Sequence, residues 1–219
     1  MENINNKEYW DNRFGSGDWE EKHGGYQTTC LTEAYLRYIN LPAGFQGSIL
    51  DFGCGTGESI PVLRQHFQEA LLTGTDFSVK AIEKCTERHG KEADFICCRW
   101  EDVPASDVII SSNVFEHLTN DTGIAESLLK KCRSLFIIVP YKEELENGGE
   151  HVNSYNRHSF DHLNPSMIRV FRSRGWSEYG LDLIFNVWTK NIIKFLLGRK
   201  TRRARKQVVF RFDNEHPVR

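Results

Sequence analysis

From Ser48 to Val139, short apolar runs alternate with stretches whose apolar residues recur every three or four positions, the two periods that separate strand from helix. The runs at 48–51, 70–76, 94–98, 107–111 and 134–139 predict five strands, the last and most apolar stopped by Pro140. Between them the pattern predicts helices over 58–67, 79–88 and 122–132, with Pro61 in a first turn and Ser78 as a cap. Strands this apolar, alternating with helices, imply a parallel sheet covered on both faces. Upstream, a short helix is expected over 5–14, then a glycine-rich loop at 15–19. Thr28 and Thr29 then cap a helix running to Ile39. Downstream the rhythm changes. Residues 141–164 form a long polar stretch, too long for a routine connection and so a candidate functional loop. A helix over 165–174 ended by Gly175, and strands over 176–185 and 207–212, complete the expected elements.

A chain of 219 residues with ordinary apolar content suits one globular domain, and its net charge of -2 shows no overall preference for an anionic partner. That total conceals a local asymmetry: residues 190–206 hold eight Lys or Arg and no acid. Three readings stay open for this segment. It is a solvated face, a surface for anionic membrane, or a site for a phosphate-bearing acceptor. No nucleic-acid module accompanies it, so nucleic acid is not the expected partner. The six cysteines form no C-x-x-C pair and read as small buried thiols of a reducing compartment. With no signal peptide and no apolar run long enough to span a bilayer, a cytoplasmic location is expected.

The chemistry concentrates where the first strand meets its helix, at Asp51-Phe52-Gly53-Cys54-Gly55-Thr56-Gly57. Glycines there let the backbone turn tightly and approach a ligand. In open α/β sheets the ligand crevice lies at this end of the strands. A dinucleotide loop needs its third glycine at position 58, which is Glu58, and an acid there suits a bound ammonium better than a pyrophosphate. Asp76 ends the second strand, where a carboxylate can take two ribose hydroxyls. Phe77 follows it, and Trp100-Glu101-Asp102 follows the third strand.

These residues resemble the class I S-adenosylmethionine (SAM)-dependent methyltransferases. The matching motifs are 49–57, Thr73 to Ser78, Glu101-Asp102-Val103-Pro104, and Asp107 to Ser112 leading into Asn113-Val114-Phe115-Glu116-His117-Leu118. The resemblance implies a Rossmann-like α/β three-layer sandwich on a mostly parallel seven-stranded sheet whose last strand is antiparallel. Residues 1–44 would form a helical lid, and 45–219 the methyltransferase domain with a basic insertion near 188–206. SAM would be the methyl donor and S-adenosylhomocysteine (SAH) the product. Asp51, Gly53, Cys54, Gly55 and Gly57 would hold the methionine part, Asp76 the ribose, and Phe77, Trp100 and Glu101 the adenine. Ser112 or Asn113, at the end of the fourth strand, would offer backbone to the amino-acid portion. Relatives often carry an acid directly after the third strand; Arg99 stands there in this chain, so either Glu101 or a backbone carbonyl would have to replace that contact.

The subgroup it looks like acts on small molecules, so the expected reaction is transfer to an O or N atom of a sugar, glycan or natural-product precursor. Methylation of RNA or protein, or SAM binding without turnover, are the alternatives. If the acceptor must lose a proton, His151 is the expected base with Glu150 orienting it. His117 has both a loop-supporting and a basic reading. In the lid, Trp19 and Gln27 either pack or touch the ligand. His151, His158, Asp161 and His162 match no metal-ligand spacing, and no metal is expected.

Overall fold

The computed structural model describes residues 4–42, 44–145, 149–172, 189–198 and 206–214. Seven strands form one sheet: β1 (Ser48–Phe52), β2 (Leu71–Asp76), β3 (Asp94–Cys97), β4 (Ser106–Ser112), β5 (Cys132–Pro140), β6 (Met167–Arg172) and β7 (Lys206–Asp213). Their order is β3-β2-β1-β4-β5-β7-β6, with β7 antiparallel to both of its neighbours and the other pairings parallel. The helices are α1 (Lys7–Gly15), α2 (Asp18–Glu21), α3 (Gly24–Leu36), α4 (Ser59–His66), α5 (Val79–His89), α6 (Asp121–Lys130) and α7 (Thr189–Leu196).

Side chains that alternate along each strand divide between two cores. Leu50, Ile109, Leu135, Ile137, Val208 and Phe210 face α6, packing on Ile124 and Leu128. Ile49, Val108, Ile110, Phe136, Ile138 and Val209 face the other way, onto Tyr35 of α3 and Ile60 and Leu63 of α4. A strand buried on both faces must be apolar at consecutive positions, which is why these runs stand out in the sequence. The three-layer Rossmann-like arrangement is as expected.

Several local expectations fail. Helix α2 begins at Asp18 within the expected 15–19 loop, and α3 ends at Leu36 rather than Ile39. The segment expected as a helix over 165–174 is strand β6, seated at the sheet edge against β7. Ile168 and Val170 join one core while Met167 and Phe171 join the other, so the segment obeys period two once an edge is available to pair with. Thr28 and Thr29 do not cap α3, which already begins at Gly24. Their hydroxyls donate back to the carbonyls of Gly24 and Gly25 at 3.1 and 3.2 Å. The strand expected over 176–185 and residues 199–205 of the basic segment, with five of its eight Lys and Arg, lie outside the described residues. Among the described residues no helix is long and apolar enough to cross a membrane.

The loop after β5 is tied down despite its length. Tyr155 is buried, its hydroxyl lying 2.8 Å from both the Phe115 carbonyl and Asp121, and it stacks on buried Phe160. The Val152 and Asn153 amides donate to the Glu116 carbonyl at 2.7 and 3.1 Å. These bonds bring residues 150–153 against the turn that follows β4.

Candidate active site

A cavity of about 2270 Å³ opens at the carboxyl ends of β1, β2 and β4, the place where strand direction and helix start leave room for a ligand. Asp51, Gly53, Cys54, Gly55, Asp76, Phe77, Trp100, Glu101, Asn113, Trp19, Gln27, Glu150 and His151 all line it. Gly57 does not. It holds a φ of +86°, and a Cβ there would meet Cys85 Sγ and His89 at 3.0 Å, so its role is to let the loop close onto α5.

The loop is set by backbone bonds. The amides of Gly53 and Cys54 donate to the Thr75 carbonyl at 2.8 and 3.0 Å, and Gly57 N–H to the Cys54 carbonyl at 3.0 Å. Gly53 and Gly55 both adopt positive φ, which glycine reaches without strain. Asp76 joins loop to sheet: its carboxylate accepts from Gly55 N–H at 3.0 Å and Ser78 N–H at 2.9 Å. Asp51 is buried beside it and accepts from the Ser59 hydroxyl. Burial raises the pKa of each carboxyl to about 6, and in Asp76 the neighbouring Asp51 charge adds to the effect of burial. Two buried carboxylates facing one cavity are arranged for a cationic or multiply hydroxylated ligand.

At the adenine end, Trp100 opens a 3-10 turn through Asp102. The Glu101 carboxylate lies 3.4 Å from Arg99 Nε, so the arginine that replaces the usual acid occupies the nearest alternative acid.

The N-terminal elements wall the opposite side. Asp11 accepts from the Ser78 hydroxyl at 2.7 Å, tying α1 to the start of α5. Trp10 stacks on Phe14 and meets His117 edge-on at 5.1 Å. Trp19 lies against Gly24, where any Cβ would fall 2.3 Å from the indole.

The far end of the cavity differs from the sequence expectation. Glu150 does not orient His151. Its carboxylate accepts from the Tyr9 hydroxyl and sits 3.5 Å from Arg13, while its carbonyl lies 3.0 Å from His117 Nδ1. The His151 partner is Glu143, whose carboxylate lies 2.5 Å from Nδ1. Burial works against the His151 cation, but the Glu143 hydrogen bond and the Glu116, Glu143 and Glu150 charges outweigh it and raise the pKa. His117 goes the other way, lowered to about 4 mainly by burial. Glu116 is fully buried and raised by burial to about 7, with the His151 charge and the nearby Asn113 side chain opposing the shift, and neither oxygen makes a well-formed hydrogen bond among the described residues. Arg13 and Glu143 are cavity residues that the sequence does not single out, while Glu116 stands out there only as part of the Glu116-His117 motif.

A family model described as a methyltransferase domain matches residues 49–135. A malonyl-[acyl-carrier protein] O-methyltransferase of Herminiimonas arsenicoxydans is 35% identical over 80 residues, covering 35% of this chain and 30% of the relative. The ubiquinone/menaquinone biosynthesis C-methyltransferase UbiE of Desulfotalea psychrophila is 27% identical over 100 residues, covering 44% and 41%. The matched stretch thus spans less than half of either curated relative. Among solved structures, the plantazolicin methyltransferase BpumL in complex with SAH superposes with a TM-score of 0.53 at 18% identity, covering 94% of each chain. A methyltransferase in complex with the Haloferax volcanii Trm112 activator gives a TM-score of 0.64 at 12% identity, covering 94% and 98%. These likenesses show the fold. Residues 49–135 are similar to methyltransferase domains, and the whole chain shares the fold of SAH-bound methyltransferases.

Proposed function

We propose that this chain transfers the methyl group of SAM to an oxygen or nitrogen of a small polar molecule, a sugar or glycan precursor being the class that suits it best. The observation that carries the reading is the shared cavity. The glycine loop, Asp51 and Asp76 stand at one end of it, and Glu116, His117, Glu143 and His151 at the other. The residues fit the donor: Gly53 and Gly55 leave a cradle without Cβ atoms, and the two buried carboxyls match an ammonium and a ribose diol. SAM supplies the electrophile, its sulfonium methyl, when bound.

The protein's own task is then to hold the acceptor in line with that methyl and to exclude water. Helices α1 and α2 serve as the lid, with Tyr9 and Arg13 fastened to Glu150 across the mouth, while α3 packs on the sheet. His151, steadied by Glu143, is the side chain placed to meet the acceptor atom. Lys142 and Lys206 line the same wall and suit an anionic handle such as a phosphate.

Methyl-labelled SAM should mark a sugar-nucleotide or small glycan pool and leave RNA and protein pools unmarked. Label found only in RNA or protein would sink the acceptor assignment, and absence of SAH binding by calorimetry would sink the donor assignment. The donor site carries a pH signature as well. The ammonium favours ionised Asp51, whose pKa in the free protein is raised to about 6 by burial. Protonation on acidification removes that partner, so SAH affinity should fall as pH drops, by about tenfold between pH 7 and pH 5 for one such group. Affinity that is flat across this range in calorimetric titrations would place the ammonium elsewhere.

A further inference from the structure

At the acceptor end of the cavity, one oxygen of Glu116 and one ring nitrogen from each of His117 and His151 lie within 4.8 Å of one another. Glu116 is wholly buried, and apart from the nearby Asn113 side chain neither of its oxygens makes a well-formed hydrogen bond among the described residues. A buried carboxylate of this kind is strongly disfavoured as a charge unless a cation meets it. The two imidazoles are gripped from behind. His117 Nδ1 lies 3.0 Å from the Glu150 carbonyl, which can only accept, so Nδ1 carries the proton and Nε2 the lone pair. His151 Nδ1 lies 2.5 Å from Glu143 Oε2, leaving its Nε2 for another partner. A carbonyl or carboxylate on one nitrogen is how proteins orient a histidine that binds metal through the other.

We propose that Glu116, His117 and His151 bind a divalent transition-metal ion, which in turn holds the acceptor oxygen. Two imidazoles with a carboxylate favour an ion of the manganese-to-zinc series over magnesium, which prefers oxygen ligands and retained water. Three protein ligands leave coordination positions open, as in sites that meet a substrate. Donors around an ion with bonds of about 2.1 Å sit roughly 3.0–3.4 Å apart, so the cluster tightens by about 1 Å or more on loading. His151 supplies that movement by turning its partly buried side chain, since the backbone on either side is held by the bonds of Glu150, Val152 and Asn153.

Ion binding does not depend on the methyl-transfer reading, but the ion's role in the reaction does. There it lowers the pKa of an acceptor hydroxyl, whose proton passes to water. The oxygen lone pair then forms the bond to the methyl carbon, and the electron pair of the broken C–S bond stays on sulfur.

The test uses the full chain after chelator treatment, titrated separately with Mn²⁺, Co²⁺, Zn²⁺ and Mg²⁺ by calorimetry. Bound metal is counted by elemental analysis and the Co²⁺ complex read by visible absorption. One equivalent of a transition ion is expected, with Mg²⁺ at least about tenfold weaker. His151→Ala and Glu116→Gln should each lower affinity by at least about a hundredfold, and Glu143→Gln by about 10–100-fold. SAH affinity, measured on the same His151→Ala sample, should stay within about twofold of the unsubstituted chain, because binding of the product does not call on the acceptor end. Substoichiometric metal in the unsubstituted protein, or full metal affinity in His151→Ala, overturns the site. His151 is the deciding substitution should Glu116→Gln fail to fold, since its loop position spares the core. Stoichiometric metal without SAH binding would uphold the site and overturn the methyl-transfer reading instead.

Discussion

Asp76→Ala is expected to weaken SAH binding by roughly a hundredfold or more while the protein still folds. Each hydrogen bond from a ribose hydroxyl to a charged carboxylate is worth about 1.5–3 kcal/mol, and two of them amount to roughly 3 kcal/mol or more. Asp76 also holds the glycine loop, through Gly55 N–H at 3.0 Å and Ser78 N–H at 2.9 Å. Removing it therefore loosens the cradle as well as the ribose contact. The fold survives because the lost carboxylate is itself strained by its surroundings: burial, with Asp51 alongside, has raised its pKa to about 6. Eliminating that desolvated charge offsets part of the cost of two freed N–H donors. Calorimetry with SAH, paired with a thermal melt, separates the two effects. A folded Asp76→Ala protein that binds SAH within about threefold of the original, a difference below 1 kcal/mol, would remove Asp76 from the ribose.

The donor side of this site is legible in the sequence because its chemistry is local. Strand end, turn and helix start fall within Asp51 to Ser59, so nine consecutive residues already carry the loop. Asp76 is legible for the same reason, as the last residue of β2. The limits of that reading are physical too. Gly57 and Gly53 look alike in sequence, since both need positive φ. Only the packing of α5 reveals that Gly57 turns toward Cys85 while Gly53 lines the cavity.

The acceptor side is assembled over long distances in the chain. Glu143 precedes His151 by eight residues in a stretch with no periodic pattern, and no spacing rule pairs them. Glu150 is the nearer acid in sequence, yet it turns to Tyr9 and Arg13 of α1. The histidines at 158 and 162 crowd the sequence beside 151, but His158 pairs with Asp161 on the surface at 2.9 Å. The ligand set forms instead because Val152 and Asn153 bond to the Glu116 carbonyl, drawing the β5 loop onto the turn after β4. β6 escaped notice for a related reason. Its alternation of Ile168 and Val170 against Met167 and Phe171 has meaning only beside β7, forty residues further along the chain by register (Phe171 pairs with Gln207, Met167 with Arg211).

Gly53→Ala should cost stability and binding together. The residue sits at φ +75°, where an L side chain loses about 1–2 kcal/mol. Its new methyl would also fall 2.4 Å from Val114 Cγ2, a contact that overpacks the turn after β4 by about 1–3 kcal/mol. Together these predict a loss of about 2–5 kcal/mol, or roughly 5–20 °C in melting temperature for a chain of this size. Gly17→Ala provides the comparison. It has φ +88° but nothing within 4 Å of an added Cβ, so only the conformational part of the penalty applies. The difference between the two melts therefore isolates the contact with Val114. Since Val114 follows Asn113, itself held at φ +56°, that contact also fixes how the end of β4 faces the methionine half of the donor. Gly53→Ala should thus bind SAH more weakly than Gly17→Ala at a temperature where both are folded. Equal melting temperatures for the two variants would show that Val114 yields freely and that the loop is not braced by β4.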